Sequence, residues 1–190
     1  MKQARRYIAP EGVEVAGTTT LSFVDNISGD SISEFRSKHG LSNIDTNQWY
    51  PLQQVFDLFN DIAQELSTQA FVAMGMKIAE QSEFPPEMLG NELSLVQILE
   101  GWQAHYEANH RGGDLPPVET IKVADTHYQL VFAHNHAYPY DLVYGLAYGF
   151  CKLLLPKGSQ FMVAYDEQLS PMQKSETDNV IVNITWGDAL

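Results

Sequence analysis

Cysteine is nearly missing from these 190 residues. Cys151 stands alone, which rules out an internal disulfide or a thiolate cluster and leaves no mark of an oxidising compartment. Positive charge is scarce too: 11 lysines and arginines face 24 aspartates and glutamates, for a formal charge of −13. That balance repels a phosphate backbone and the anionic face of a membrane, so neither nucleic acid nor a membrane is an expected partner. No stretch approaches the ~18 apolar residues of a spanning helix. The basic start, Met1 to Tyr7, runs into Ile8-Ala9-Pro10 rather than an apolar signal core, and the expected location is the cytoplasm. Internal repeats and low-complexity runs are absent. So is the Gly-x-Ser-x-Gly elbow of a nucleophile, and the glycine pairs at 112–113 and 145/149 lack the lysine and serine of a phosphate-cradling loop. No constellation marks an enzyme.

What is present is enough apolar sequence, 44% of the chain, to bury one substantial core, so a single domain is expected. Residues 1–17 read as a loose arm, 18–117 as a mainly helical part and 118–190 as a sheet with a helix. Thr18–Val24 reads as a short strand and Ser31–His39 as a short helix stopped by Gly40. From Pro51, the residues Leu52, Val55, Phe56, Phe59, Ile62, Ala63 and Leu66 recur at three- and four-residue steps and line one helical face. A second helix is expected over Thr68–Glu80, ending before Phe84-Pro85-Pro86. A third begins after Gly90-Asn91 and closes at Arg111-Gly112-Gly113. Then Ile121, Val123 and Tyr128–Phe132 read as two strands joined near Asp125-Thr126, Tyr140–Leu155 as a helix, and Phe161–Tyr165 and Val180–Trp186 as two further strands. The fold class is α+β: N-terminal helices followed by β-β-α-β-β, an antiparallel sheet with helices packed on one face.

Chemistry-bearing side chains are few. Cys151, inside an apolar helix beside Phe150 and Leu153, reads as an inert core residue. His134 and His136, two apart at a strand end, would face one side of it and ligate a metal only if a third ligand converged, and no partner stands at a diagnostic spacing. The plainer reading is a polar strand end with a turn at Asn135. His110, next to Arg111, reads as a solvated helix terminus. His105 differs. It falls on the stripe of Leu95, Ile98, Leu99 and Trp102, where an imidazole must find a hydrogen-bond partner or a metal inside the core.

The order Phe84-Pro85-Pro86, His105, Pro116-Pro117, followed by Tyr140–Gly149 with its paired glycines, resembles the superfamily of H-NOX (haem nitric oxide/oxygen binding) domains, 4-vinyl reductase domains and subunits of Golgi transport complexes. The likeness covers roughly residues 50–186. It implies an apolar pocket between helices and sheet, and in the H-NOX branch a haem whose iron is held by the histidine at 105. H-NOX domains anchor the haem propionates with Tyr-x-Ser-x-Arg; the corresponding positions here are Ala133, Asn135 and Ala137, without a charged donor. Metal-binding members of the vinyl reductase branch use several cysteines, and this chain has one.

The resulting expectation is a non-catalytic sensor that binds a small hydrophobic molecule and acts on a separate signalling protein. Its expected pocket is lined by Phe56, Phe59, Leu99, Trp102, His105, Tyr106, Tyr144 and Tyr148. Two alternatives stand beside it: a haem-based gas sensor with His105 on the iron, and an adaptor that binds no ligand and forms a homodimer. An enzyme acting on a tetrapyrrole, suggested only by the vinyl reductase branch, ranks last.

Overall fold

A computed structural model describes residues 6–27, 32–65, 69–166 and 179–187. In chain order the elements are β1 (Glu14–Ala16), α1 (Gly17–Asp25), α2 (Ile32–Lys38), β2 (Trp49–Pro51), α3 (Leu52–Glu65), α4 (Gln69–Gln81), a 3-10 turn at Pro86–Met88, α5 (Glu92–Glu100) and α6 (Trp102–Ala108). They continue with β3 (His110–Arg111), β4 (Val118–Ala124), β5 (His127–Phe132), α7 (Tyr140–Leu154), β6 (Phe161–Tyr165) and β7 (Val180–Trp186). The α+β class and the closing β-β-α-β-β order are as expected. Ser31, Leu66 and Thr68, at the ends of expected helices, lie outside the described residues.

The large sheet runs β4-β5-β7-β6, antiparallel throughout. Along β5 the residues Tyr128, Leu130 and Phe132 are buried and alternate with half-buried neighbours, the pattern of a strand with one face on a core. They pack with Leu95 and Leu99 of α5, with α7, and with Val182 and Ile184 of β7 to form one apolar core. A second core gathers around Phe56, Phe59, Ile62 and Phe71 of α3 and α4, together with Val13, Val15, Phe23 and Val24 from the N-terminal region.

Three expectations are corrected. Residues 1–17 are no loose arm in their described part: β1 pairs with both β2 and β3, Val15 is fully buried, and the Tyr7 N–H donates to Asn60 Oδ1 at 2.7 Å. Strands of two and three residues are too short for alternation to reveal them. Thr18–Val24 is helical rather than extended, because Thr20, Phe23 and Val24 supply an i, i+3, i+4 face to the core. The Thr20 and Ser22 hydroxyls turn back to donate to the carbonyls of Ala16 and Thr18, both at 3.0 Å, which absorbs the β-branched and polar character that reads as strand. The helix expected from residue 92 to Arg111 breaks at Gly101 and ends at Ala108, and His110–Arg111 is a strand.

The two cores are tied by the crossing of α4 and α7. Gly75 lies against the backbone of Leu142, Gly145 and Leu146, and Gly145 against that of Val72; a Cβ at either glycine would collide with a carbonyl oxygen. These two glycines let the helix backbones touch. Among the described residues no helix is long and apolar enough to cross a membrane. Gly145→Ala is expected to lower stability by about 2 kcal/mol or more, since the added methyl meets backbone that cannot rotate away. A urea midpoint unchanged from that of an exposed control such as Lys157→Ala would contradict the contact.

Candidate functional site

The site gathers along α6 and just past its end. The i+4 row from Trp102 runs through the half-buried Tyr106 to the buried His110, and His105 lies off that row. His105 is exposed, and its Nε2 sits 3.2 Å from the Asn109 amide nitrogen on the same helix. The expected inward histidine is thus corrected to an outward one. The reading of His110 as solvated is corrected too, for its residue is only 9% exposed.

His110 is held at both ring nitrogens. Nδ1 lies 2.6 Å from the Tyr106 carbonyl oxygen and Nε2 2.6 Å from the Tyr138 hydroxyl. Burial holds the imidazole below its usual range, with His105 pushing the same way and the bond to the Tyr106 backbone opposing. A carbonyl can only accept, so in the neutral ring Nδ1–H donates to it and Nε2 accepts from Tyr138 O–H. Burial raises the Tyr138 hydroxyl well above the usual tyrosine range and raises that of Tyr106 as well. Both phenols therefore stay protonated.

Around this pair the rings close up. His136, 3% exposed, has its centroid 4.8 Å from Phe132, 5.6 Å from Tyr106 and 6.1 Å from Tyr140. The Tyr106 ring lies 4.7 Å from His110 and 6.1 Å from Tyr138. Tyr106 packs against both apolar cores. Its hydroxyl is buried and has no hydrogen-bond partner among the described residues. Such a group costs roughly 1–3 kcal/mol until something satisfies it.

The eight residues expected to line one pocket are not gathered around one. Phe56 and Phe59 belong to the helical core, with stacked rings 5.9 Å apart. Leu99, Trp102, Tyr144 and Tyr148 belong to the sheet core, where Tyr144 faces Tyr165 at 5.4 Å and Tyr148 faces Phe161 at 5.1 Å. Tyr106 alone of the eight reaches both cores. His110 and His136 were read as a solvated helix terminus and a polar strand end, and Tyr138 was not singled out as a site residue; the spacing Trp102, Tyr106, His110 was the available signal. His134 is exposed while His136 is buried, with a turn between them, and among the described residues no group of three or more His, Cys, Asp or Glu is placed to hold a metal ion. Cys151 is buried, which pushes its thiol up to about 12.

No family model matches the chain, and no curated protein matches it significantly. Solved structures do. The chain is similar to the oxygen complex of an oxygen-binding H-NOX domain related to soluble guanylate cyclases, at 16% identity and TM-score 0.64 over 90% of this chain and 95% of that one. It is similar to a mutant of the T. tengcongensis H-NOX at 15% identity and TM-score 0.64, over 90% and 97%. A structure from work on haem distortion in the H-NOX family gives 14% identity and TM-score 0.66, over 90% and 95%. The chain has an H-NOX-like fold.

The residues do not fit a haem held from His105. That ring faces outward, the inward place on α6 is taken by a tyrosine, and the buried alternative, His110, has both nitrogens engaged. Ala133, Asn135 and Ala137 offer no charged anchor.

A neutral buried histidine has a defined effect of pH. Because its folded pKa lies below the unfolded value of about 6.5, its stabilisation is present above that value and is lost as pH falls below it toward the folded pKa. Between about pH 7.5 and about pH 5 the unfolding free energy of the protein should fall, and His110→Gln should flatten that fall. Equal slopes for both proteins would contradict the assignment.

Proposed function

We propose that this chain is a non-catalytic sensor of a small, largely apolar molecule, acting where the helical and sheet cores meet and passing the change to a separate signalling protein in the cytoplasm. The observation that carries this reading is Tyr106, a residue that packs on both cores and keeps a buried hydroxyl without a partner among the described residues. A guest that offers this hydroxyl an acceptor relieves a cost the empty protein bears, and must part the surrounding rings to do so. Ligand binding is thereby coupled to the relative packing of the two cores, which is what differential affinity for two states requires. The neighbouring polar pair, Tyr138 and His110, supplies orientation in an otherwise apolar surrounding.

Other uses of this architecture point the same way: one solved relative in fold is an oxygen-binding domain related to soluble guanylate cyclases. The misfit at His105 favours an organic guest over haem. Native mass spectrometry of freshly purified protein should detect carried-over mass, or a library of small hydrophobes should raise the melting temperature. Hemin added to the protein should give no strong near-ultraviolet band that His105→Ala removes. Tyr106→Phe supplies the sharpest check. It should leave the empty protein as stable or up to about 1 kcal/mol more stable, because an unsatisfied group is deleted, while the ligand-induced rise in melting temperature shrinks. Destabilisation of the empty protein together with an undiminished ligand response would refute the proposal.

A further inference from the structure

Between Ile78 and His110 the chain carries six glutamates and neither lysine nor arginine. Of the six, Glu80 is neutralised by Lys152 of α7 at 2.9 Å, and no other makes an ion pair among the described residues. Glu83 and Glu87 are exposed in the connection from α4 to α5. In a chain of formal charge −13 this stretch is a surface of one sign, and it attracts cations.

Apolar rings stand in the same stretch. Phe84, Met88 and Trp102 are half-buried, as are Phe150 and Leu153 of α7, and all five pack on the rim of the sheet core. The Phe150 ring is central, its centroid 5.9 Å from that of Phe84 and 6.1 Å from that of Trp102, both edge-on. Leu89, 45% exposed, extends the apolar surface past Met88. Trp, Phe and Met left partly open to solvent are the composition of interface centres rather than of ordinary surface. The connection that carries them is pinned. The Met88 N–H donates to the Pro85 carbonyl at 2.9 Å and the Gly90 N–H to the Leu153 carbonyl of α7 at 3.3 Å. The Asn91 side chain donates to the Glu87 carbonyl at 3.3 Å and accepts from the Leu93 N–H at 3.1 Å. A face held in this way loses little freedom when something docks on it.

The occupant must match both charge and spacing. A second copy of this chain presents the same acidic stretch, and like charges oppose that pairing; an anionic membrane is repelled for the same reason. A cationic helix fits. The ring separations are close to the ~5.4 Å rise of one helical turn, so apolar side chains one turn apart on such a helix meet successive rings while its flanking Lys and Arg reach Glu83 and Glu87. We infer that the face formed by Phe84, Met88, Leu89, Trp102 and Phe150 docks a basic amphipathic helix of the signalling partner. The inference rests on the sensor reading for what the partner is told, since Trp102 stands one turn before Tyr106 on the same helical row, but the docking face is testable without it.

The test is an NMR titration of the full chain, followed at its amides and tryptophan indoles. The probe is a peptide of about 18 residues, or about five helical turns, made of Leu and Lys with Leu at i, i+3, i+4 and i+7. It should shift the Met88, Leu89 and Trp102 signals saturably. A scrambled peptide of the same composition, and a Leu/Glu peptide of the same pattern, should each bind about tenfold more weakly or worse. Glu83→Lys combined with Glu87→Lys, both at exposed positions, should weaken the Leu/Lys peptide about tenfold at matched salt, and Leu89→Ser should weaken it with no change of charge. Shifts centred elsewhere, equal binding of the scrambled peptide, or wild-type affinity in the double variant would each overturn the docking face. So would a dimer, formed without peptide, that shields the same signals. Peptide affinity at this face that is unchanged by a hydrophobe raising the melting temperature would keep the face and defeat the sensor reading. A face silent to the peptide, in a protein that such a hydrophobe still stabilises, would do the reverse.

Discussion

Two helices touching backbone to backbone set the terms for everything else in this molecule. Where Gly75 meets Leu142 and Gly145 meets Val72, α4 and α7 come closer than any side chain would allow. The residues flanking those glycines must then face apart. Phe71 and Met74 of α4 point into the helical core, and Val143, Ala147 and Cys151 of α7 into the sheet core. The protein is thereby built as two apolar cores on either side of a fixed crossing, with a seam that only a few side chains bridge. Close-packed interiors rearrange between discrete arrangements rather than deforming smoothly, so a seam of this kind is a suitable place for a ligand to bias one arrangement over another.

The seam is polar where a uniform core would be apolar. A neutral imidazole, oriented by a backbone carbonyl on one nitrogen and a phenol on the other, fixes Tyr138 against α6. Next to it, the Tyr106 hydroxyl is left without such a partner among the described residues. Low dielectric strengthens the satisfied bonds and raises the cost of the unsatisfied one. The contrast between a rigid pair and an unsatisfied neighbour distinguishes the site from ordinary packing. Helical i→i−4 bonds run on through Gly101, its N–H donating to Gln97 and its carbonyl accepting from His105. On the α6 that follows, a tyrosine packs on the cores where the resemblance to haem domains leads one to expect a histidine.

That shift also marks the limit of what could be read in advance. Helices α3 and α7 and strands β5 to β7 were legible because each is long enough for its period to show and each buries one face. The small sheet was not, since β1, β2 and β3 owe their existence to pairing between residues as distant in the chain as Glu14 and Arg111 rather than to any local pattern. Helix α1 hid behind three consecutive threonines, whose preference for strands is overridden once Phe23 and Val24 find the helical core. His105 and Tyr106 are neighbours on one helix, three and four residues after Trp102, and spacing alone does not fix which of them faces inward. Phe56, Phe59 and Leu99 were sorted to the interior; their division between two cores required the fold.

The most direct measurement is the ring-nitrogen NMR spectrum of histidine-labelled protein near neutral pH. The account predicts one imidazole, His110, locked as the neutral tautomer with Nδ1 protonated and Nε2 accepting a hydrogen bond, alongside a solvent-exposed His105. A freely titrating His110, or a His105 ring shielded from solvent, would contradict it.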